Sequence, residues 1–173
     1  MKIVFLDVDK VLQREEAELL FCNEPKLIAG LNKKFNIDYS IYPAYIVYNA
    51  LYDWDPQAIA RIKYVLNETE SNIVVSSSWR DKDLPNKMRD LLTIHGLEKY
   101  YIGDTPIVPV KKNFTEDRLW EIHRAMGIYK PDNYVVIDDK QELRPYFPNH
   151  IVTPENLFSI SDMNEAIRIL KRK

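Results

Sequence analysis

Three short runs of apolar, mostly β-branched residues each stop at a cluster of polar side chains. The chain opens Lys2-Ile3-Val4-Phe5-Leu6 and continues Asp7-Val8-Asp9. Asn72-Ile73-Val74-Val75 leads into Ser76-Ser77-Ser78-Trp79-Arg80, and Asn133-Tyr134-Val135-Val136-Ile137 leads into Asp138-Asp139-Lys140. Runs of this kind predict buried strands. Helical spacing appears between and after them. Asp55-Pro56 supplies a cap and a proline at the first helical position, followed by Ile59, Ile62 and Leu66. A second helix begins near Pro85, turns Met88, Leu91, Leu92 and His95 inward, and ends at Gly96. A third runs from Thr115 as cap to Gly127, and a fourth from about Asp162. The alternation predicts an α/β, three-layer Rossmann-like fold with a mainly parallel central sheet. The strands near residues 2–6, 73–76 and 134–137 should lie in its middle with their carboxyl ends together. Ligands bind outside those ends in such sheets, so hydroxyls and four carboxylates should converge on one crevice.

Residues 13–53 break the alternation. A helix is expected from Asn23-Glu24-Pro25 through Leu27, Ile28, Leu31 and Phe35, followed by a stretch holding five tyrosines between Asn36 and Trp54. The segment is too short for a large independent cap, and is expected to be a small cap-like or flanking insertion within a single domain over 1–173. Its tyrosines suit packing or self-association, or stacking on bases and sugars.

Composition narrows the setting. With 24 Lys+Arg against 26 Asp+Glu there is no global basic signal for nucleic acid, which leaves only a local patch open. The lone Cys22 excludes an internal disulfide, suits a packing role, and agrees with a cytoplasmic location. No run approaches the ~18 apolar residues of a membrane span, so no membrane partner is expected. A strand at the start argues against a signal peptide. The oligomeric state stays open.

The candidate chemistry starts from Asp7 and Asp9. Alternation along a strand puts residues i and i+2 on one side. Two close carboxylates repel unless a cation or shared proton intervenes, which suits a hard metal ion and a division of labour between nucleophile and acid/base. The plain alternative is a polar turn capped by Asp. Oxygen ligands point to Mg²⁺; His95, His123 and His150 are scattered and form no zinc set. A phosphorylation-receiver domain would carry its paired acids after the first strand, the reverse of the order here. A dinucleotide fold would want GxGxxG there, and none of the four glycines lies there.

"FLDVDKVL", "IVVSSSWR" and "YVVIDDK" together resemble motifs I, II and IV of the haloacid dehalogenase (HAD) superfamily of aspartate-nucleophile phosphohydrolases. "SSSWR", "GDTP" from Gly103 to Pro106 and "RLWEI" from Arg118 to Ile122 are most like cap-poor bacterial HAD domains related to those of multidomain RNA-repair proteins. The resemblance implies Asp7 as nucleophile and metal ligand, and Asp9 as acid/base with its carbonyl on the metal. Asp138 and Asp139 would complete a Mg²⁺ site. Ser76, with Ser77 as the alternate register, would bind a phosphate oxygen. By the same resemblance Arg118 would be the motif III base, with Lys112 and Lys111 as alternatives; Lys112 and Arg80 are expected near the substrate, Arg80 as a rim contact or an exposed ion pair. A phosphorylated small molecule or a nucleic-acid end is the implied substrate. Lys10 stands where the superfamily has Gly. A negative φ there, or else local strain, is expected, with the side chain turned away from the metal. If it points inward instead, the chain is a phosphate-binding or regulatory relative with impaired catalysis.

Overall fold

The protein, seen in a computed structural model, is described over residues 1–14, 25–108, 114–153 and 157–172. Lys2–Leu6 (β1), Ser71–Val75 (β2), Tyr101–Asp104 (β3), Asn133–Asp138 (β4) and His150–Val152 (β5) form an all-parallel sheet in the order β3-β2-β1-β4-β5. The three strands expected from the sequence are the three central ones. Phe5 lies opposite both Val74 and Val136, so β1, β2 and β4 end level. The edge strands β3 and β5 were not expected; at four and three residues they are too short to display a period.

Strand alternation divides the core in two. Val4, Leu6, Ile73, Val75, Val135 and Ile137 face a large cluster. Its other walls come from Pro25–Phe35 (α1), Ala44–Tyr48 (α2), Pro56–Thr69 (α3), Lys87–Ile94 (α4) and, numbered α6 by chain order, Ile160–Leu170. Ile3, Phe5, Val74 and Val136 face the opposite way, onto Ile122 and Ala125 of Phe114–Tyr129 (α5) and onto Phe147. The sheet therefore lies between helices on both faces, the usual burial for parallel strands.

Local chemistry explains the helix ends. The Asp55 carboxylate accepts from the backbone N–H of Gln57 and Ala58 at 2.9 and 2.8 Å, ahead of Pro56. A reciprocal capping box of Ser159 and Asp162 opens α6, two residues before the expected start. Helix α5 begins at Phe114 rather than after a Thr115 cap, and it continues through Gly127 to Tyr129. A glycine inside a helix costs only about 1 kcal/mol, and two further residues bring Tyr129 against the core.

The described part of the 13–53 segment packs into the larger cluster through Leu31, Tyr39, Tyr42, Val47 and Ala50. The Tyr39 hydroxyl donates to the Asp90 carbonyl (2.8 Å) and the Tyr42 hydroxyl to the Asp90 carboxylate (2.5 Å), tying the segment to α4. Tyr45 and Tyr52 stay exposed. A π-helical turn over Asn49–Asp53 closes with Trp54 N–H donating to the Asn49 carbonyl at 3.2 Å. Asn23, Glu24 and Cys22 lie outside the described residues. Among those described, no helix is long and apolar enough to cross a membrane.

Gly103 in β3 has φ +153°, and a Cβ there would stand 2.2 Å from the Tyr129 hydroxyl oxygen. Gly103→Ala is expected to lower unfolding free energy by about 2–3 kcal/mol in a urea titration. Removing the opposing hydroxyl with Tyr129→Phe should return part of that loss.

Candidate active site

The alternation that sorts the core also aims the polar residues beyond it. Asp7 N–H donates to the Ile137 carbonyl (3.0 Å) and Ser76 N–H to the Leu6 carbonyl (2.8 Å), so pairing runs one residue past β1 and β2. Asp7, Ser76 and Asp138 thereby continue the parity of Phe5, Val74 and Val136, the α5 side. All three are buried. One carboxylate oxygen each from Asp7, Asp138 and Asp139 lies within 4.8 Å of the others.

Arg118, in the second turn of α5, meets this group from the helix layer. Its Nη1 stands 2.5 Å from Asp138 Oδ2 and 3.4 Å from Asp7 Oδ1, and it also donates to the Ser76 carbonyl. Burial alone would depress its pKa, but the charges of Asp7, Asp138 and Glu121 overcome that and raise it. Arg118 is therefore a fixed cation. Burial, then the charge of Asp7, pushes the Asp138 carboxyl above its ordinary range, with Arg118 pulling it back.

Arg80 does not form an exposed rim contact. Its side chain is 5% exposed. The guanidinium donates to the Ser77 carbonyl, to the Thr105 carbonyl and hydroxyl, and to Glu121 Oε2 at 2.6 Å. These bonds brace the loops after β2 and β3, and the ion pair is a buried one rather than the exposed one expected, while Arg80 still lines the cavity beside the centre. Glu121 received no role from the sequence. It joins Arg80 to Arg118, whose Nε is 4.0 Å away. The available signal was its position three residues after Arg118, on the same helix face.

Asp9 is absent from the three-carboxylate group. Its Oδ1 accepts from the Trp79 indole N–H (3.0 Å) and its Oδ2 from the Ser78 hydroxyl (3.2 Å). Burial raises the Asp9 pKa; the Trp79 hydrogen bond lowers it, and the charge of Asp7 raises it again. The serine register separates by hydrogen bonding. Ser77 Oγ accepts from Trp79 N–H at 3.3 Å, whereas the buried Ser76 Oγ has no hydrogen-bond partner.

Lys10 departs from the expected negative φ. It sits at +58°, the strained alternative, inside a tight turn in which Val8 O accepts from Leu12 and Gln13 and Lys10 N–H donates to Gln13 O at 2.6 Å. A side chain in this region costs roughly 1–2 kcal/mol. Its Nζ lies 3.7 Å from Asp139 Oδ2, so it pairs at the edge of the acid cluster rather than turning away from it. Lys140 approaches Asp139 from the other side at 3.8 Å. Lys111 and Lys112 lie outside the described residues. Of the histidines, only His150 approaches the group, its Nε2 being 3.1 Å from the Asp138 carbonyl oxygen.

A sequence comparison agrees with this geometry. The family model for the HAD domain in Swiss Army Knife RNA repair proteins matches residues 3–163. The chain belongs to this HAD family. Neither curated proteins nor solved structures contain a significant match to it. Membership supports phosphohydrolase chemistry in general terms.

The HAD centre fits a hard divalent cation. Its donors are all oxygens, and Asp7 Oδ1 is buried without a hydrogen-bond partner. Beside the centre opens a cavity of about 520 Å³, walled by Ser78, Ile107, Arg118, Glu121 and Lys140 among others.

Arg118→Met should leave two buried carboxylates without their cation, at a cost of roughly 3–5 kcal/mol in metal-free buffer. Saturating Mg²⁺ is expected to recover part of that loss. Equal stability of variant and parent in chelator, measured by urea unfolding, would contradict this charge balance.

Proposed function

We propose that this domain is a Mg²⁺-dependent phosphomonoester hydrolase that acts through an aspartyl-phosphate on Asp7. The observation that carries the reading is the Asp7 carboxylate, whose Oδ1 is buried and accepts no hydrogen bond. It lies between the fixed Arg118 cation, 3.4 Å away, and two further acids, and the buried Ser76 hydroxyl likewise makes no hydrogen bond. Burial without a hydrogen bond is costly for such groups, and a bound phosphoryl group with its counter-ion would satisfy both oxygens.

In this reading Asp7 attacks phosphorus in line with the leaving oxygen, while Asp9 donates a proton to that oxygen as the P–O bond breaks. Asp9, now a carboxylate, then takes a proton from the water that hydrolyses the acyl-phosphate. Ser76 and Arg118 hold the phosphoryl oxygens, and Asp138, Asp139 and the Asp9 carbonyl join Asp7 around the metal. Bound Mg²⁺ supplies charge neutralisation between anionic nucleophile and anionic substrate. The substrate class is a phosphorylated small molecule or a nucleotide or polynucleotide end; the RNA-repair setting of the family favours the latter. A cytoplasmic location goes with a single cysteine.

One observation favours a second reading. The Lys10 ammonium beside Asp139 competes with a cation there, and a chain that cannot hold Mg²⁺ would bind phosphate without hydrolysing it. The pair is partly exposed, and such pairs contribute at most about 1 kcal/mol. Lys10→Gly is therefore expected to change calorimetric Mg²⁺ affinity by less than about 5-fold; metal binding seen in the variant alone would favour the regulatory reading.

Hydrolysis of an aryl phosphate should require Mg²⁺ and disappear in Asp7→Asn, because an amide is neither an effective nucleophile nor an anionic ligand. Asp9→Asn is expected to reduce turnover about 10²–10⁴-fold. Full activity in Asp7→Asn would eliminate the covalent route.

A further inference from the structure

Trp79 carries no role in the reading above, yet its indole is the strongest constraint on Asp9. The ring is buried beneath the turn after β2, with its N–H 3.0 Å from Asp9 Oδ1. It is braced from behind: Trp54 packs against it at 5.7 Å between ring centroids, and His95 stacks on Trp54 at 5.3 Å. His95 is held in turn by the Ala50 carbonyl, 2.6 Å from its Nε2. Trp54 also joins the turn that carries Asp9. An isolated bridge pairs Gln13 with Trp54, another pairs Asp9 with Gln13, and Asp55 N–H donates to the Leu12 carbonyl at 2.7 Å. Asp9 and its indole partner are thus fixed to one scaffold.

The two contacts on Asp9 differ in kind. An indole N–H only donates, whereas a hydroxyl can rotate to donate or accept. In a neutral carboxyl the carbonyl oxygen is a better acceptor than the hydroxyl oxygen, so the indole N–H favours Oδ1 as the carbonyl oxygen. A proton on Oδ2 meets Ser78, whose hydroxyl can turn its lone pairs toward it. Ser78 also lines the cavity beside the centre. We propose that Trp79 is a positioning residue that keeps Oδ1 unprotonated. The acid proton of Asp9 then sits on Oδ2, on the side of the Ser78-lined cavity, where the leaving group is received.

This inference rests on the acid role given to Asp9. In the step concerned, the Oδ2 proton passes to the bridging oxygen as that oxygen takes the electron pair of the breaking P–O bond, and Asp9 is left as a carboxylate. A poor leaving group needs that proton; a good one leaves as an anion without it. Loss of the indole N–H should therefore discriminate between leaving groups, which a general loss of structure would not do.

The test compares 4-nitrophenyl phosphate, less activated aryl phosphates and an alkyl phosphate as substrates. The proteins are wild type, Trp79→Phe, and a chain with benzothienylalanine at position 79, which keeps the ring size and replaces N–H with sulfur. The expected result is a kcat loss about tenfold larger for the alkyl than for the nitrophenyl ester, with KM little changed, as befits an acid displaced rather than removed. In an Asp9→Asn background the Trp79 changes should add no further leaving-group dependence. Equal losses across the series, or none in the benzothienyl protein, would overturn the proposal. If Asp9→Asn itself shows no dependence on leaving group, the acid role fails first. The contact has a readout that needs no turnover: the Trp79 indole N–H proton resonance should move upfield in Asp9→Asn, and an unmoved resonance would also refute the inference.

Discussion

A guanidinium with 6% of its side chain exposed stands between the carboxylates of Asp7 and Asp138, at the level ends of β1 and β4. Isolated buried charges are strongly disfavoured, and paired ones persist only when geometry and further hydrogen bonds offset desolvation. The surroundings of Arg118 meet that condition. It contacts Asp138 closely, Asp7 at longer range, the Ser76 carbonyl, and Glu121 on its own helix. Glu121 in turn is held by Arg80, which reaches back to Ser77 and Thr105. One charge network therefore links the ends of β1, β2 and β4, the loop after β3, and α5. Since four of these segments, the ends of β1, β2 and β4 and helix α5, carry groups given a role in the proposed reaction, the residues that stabilise the crevice overlap largely with those the proposal relies on.

The network is also incompletely satisfied. Asp7 Oδ1 and Ser76 Oγ are buried without hydrogen bonds, and burial together with Asp7 pushes the Asp138 carboxyl above its usual range. Unmet polar capacity of this kind is what the proposed function draws on, because a phosphate and its cation would satisfy it. The turn after β1 contributes a second departure from low energy, because Lys10 occupies a left-handed conformation that glycine would adopt without strain. Three backbone groups converging on Val8 O, with the Asp9–Gln13–Trp54 bridges, impose that conformation. The strain at position 10 is thus borne by the turn that presents Asp9.

The 13–53 segment shows how indirect the contribution of an irregular stretch can be. The sequence alone leaves packing, self-association and stacking open for the segment's tyrosines. Tyr39 and Tyr42 serve as packing groups, with hydroxyls anchored on Asp90, while Tyr45 and Tyr52 face outward. The segment leads to the crevice through Trp54, the residue that follows it, and the aromatic chain from His95 to Trp79.

By itself the sequence determined the central strands, their parallel arrangement and the convergence of Asp7, Ser76 and Asp138. Each follows from short-range rules: buried parallel strands read as apolar runs, side chains alternate, and the residue after the run emerges at the sheet's edge. Arg118 was legible through family resemblance rather than periodicity. The short edge strands were not legible, because three or four residues carry no period. Nor was the burial of Arg80: nothing local distinguishes an arginine in an exposed ion pair from one buried against Glu121, forty-one residues on. The division of Asp9 from the other acids, its attachment to Trp79 and the inward reach of Lys10 likewise awaited the tertiary structure. Those outcomes depend on which side chains meet across separate loops, and a contact between distant segments leaves no trace in the spacing of either one.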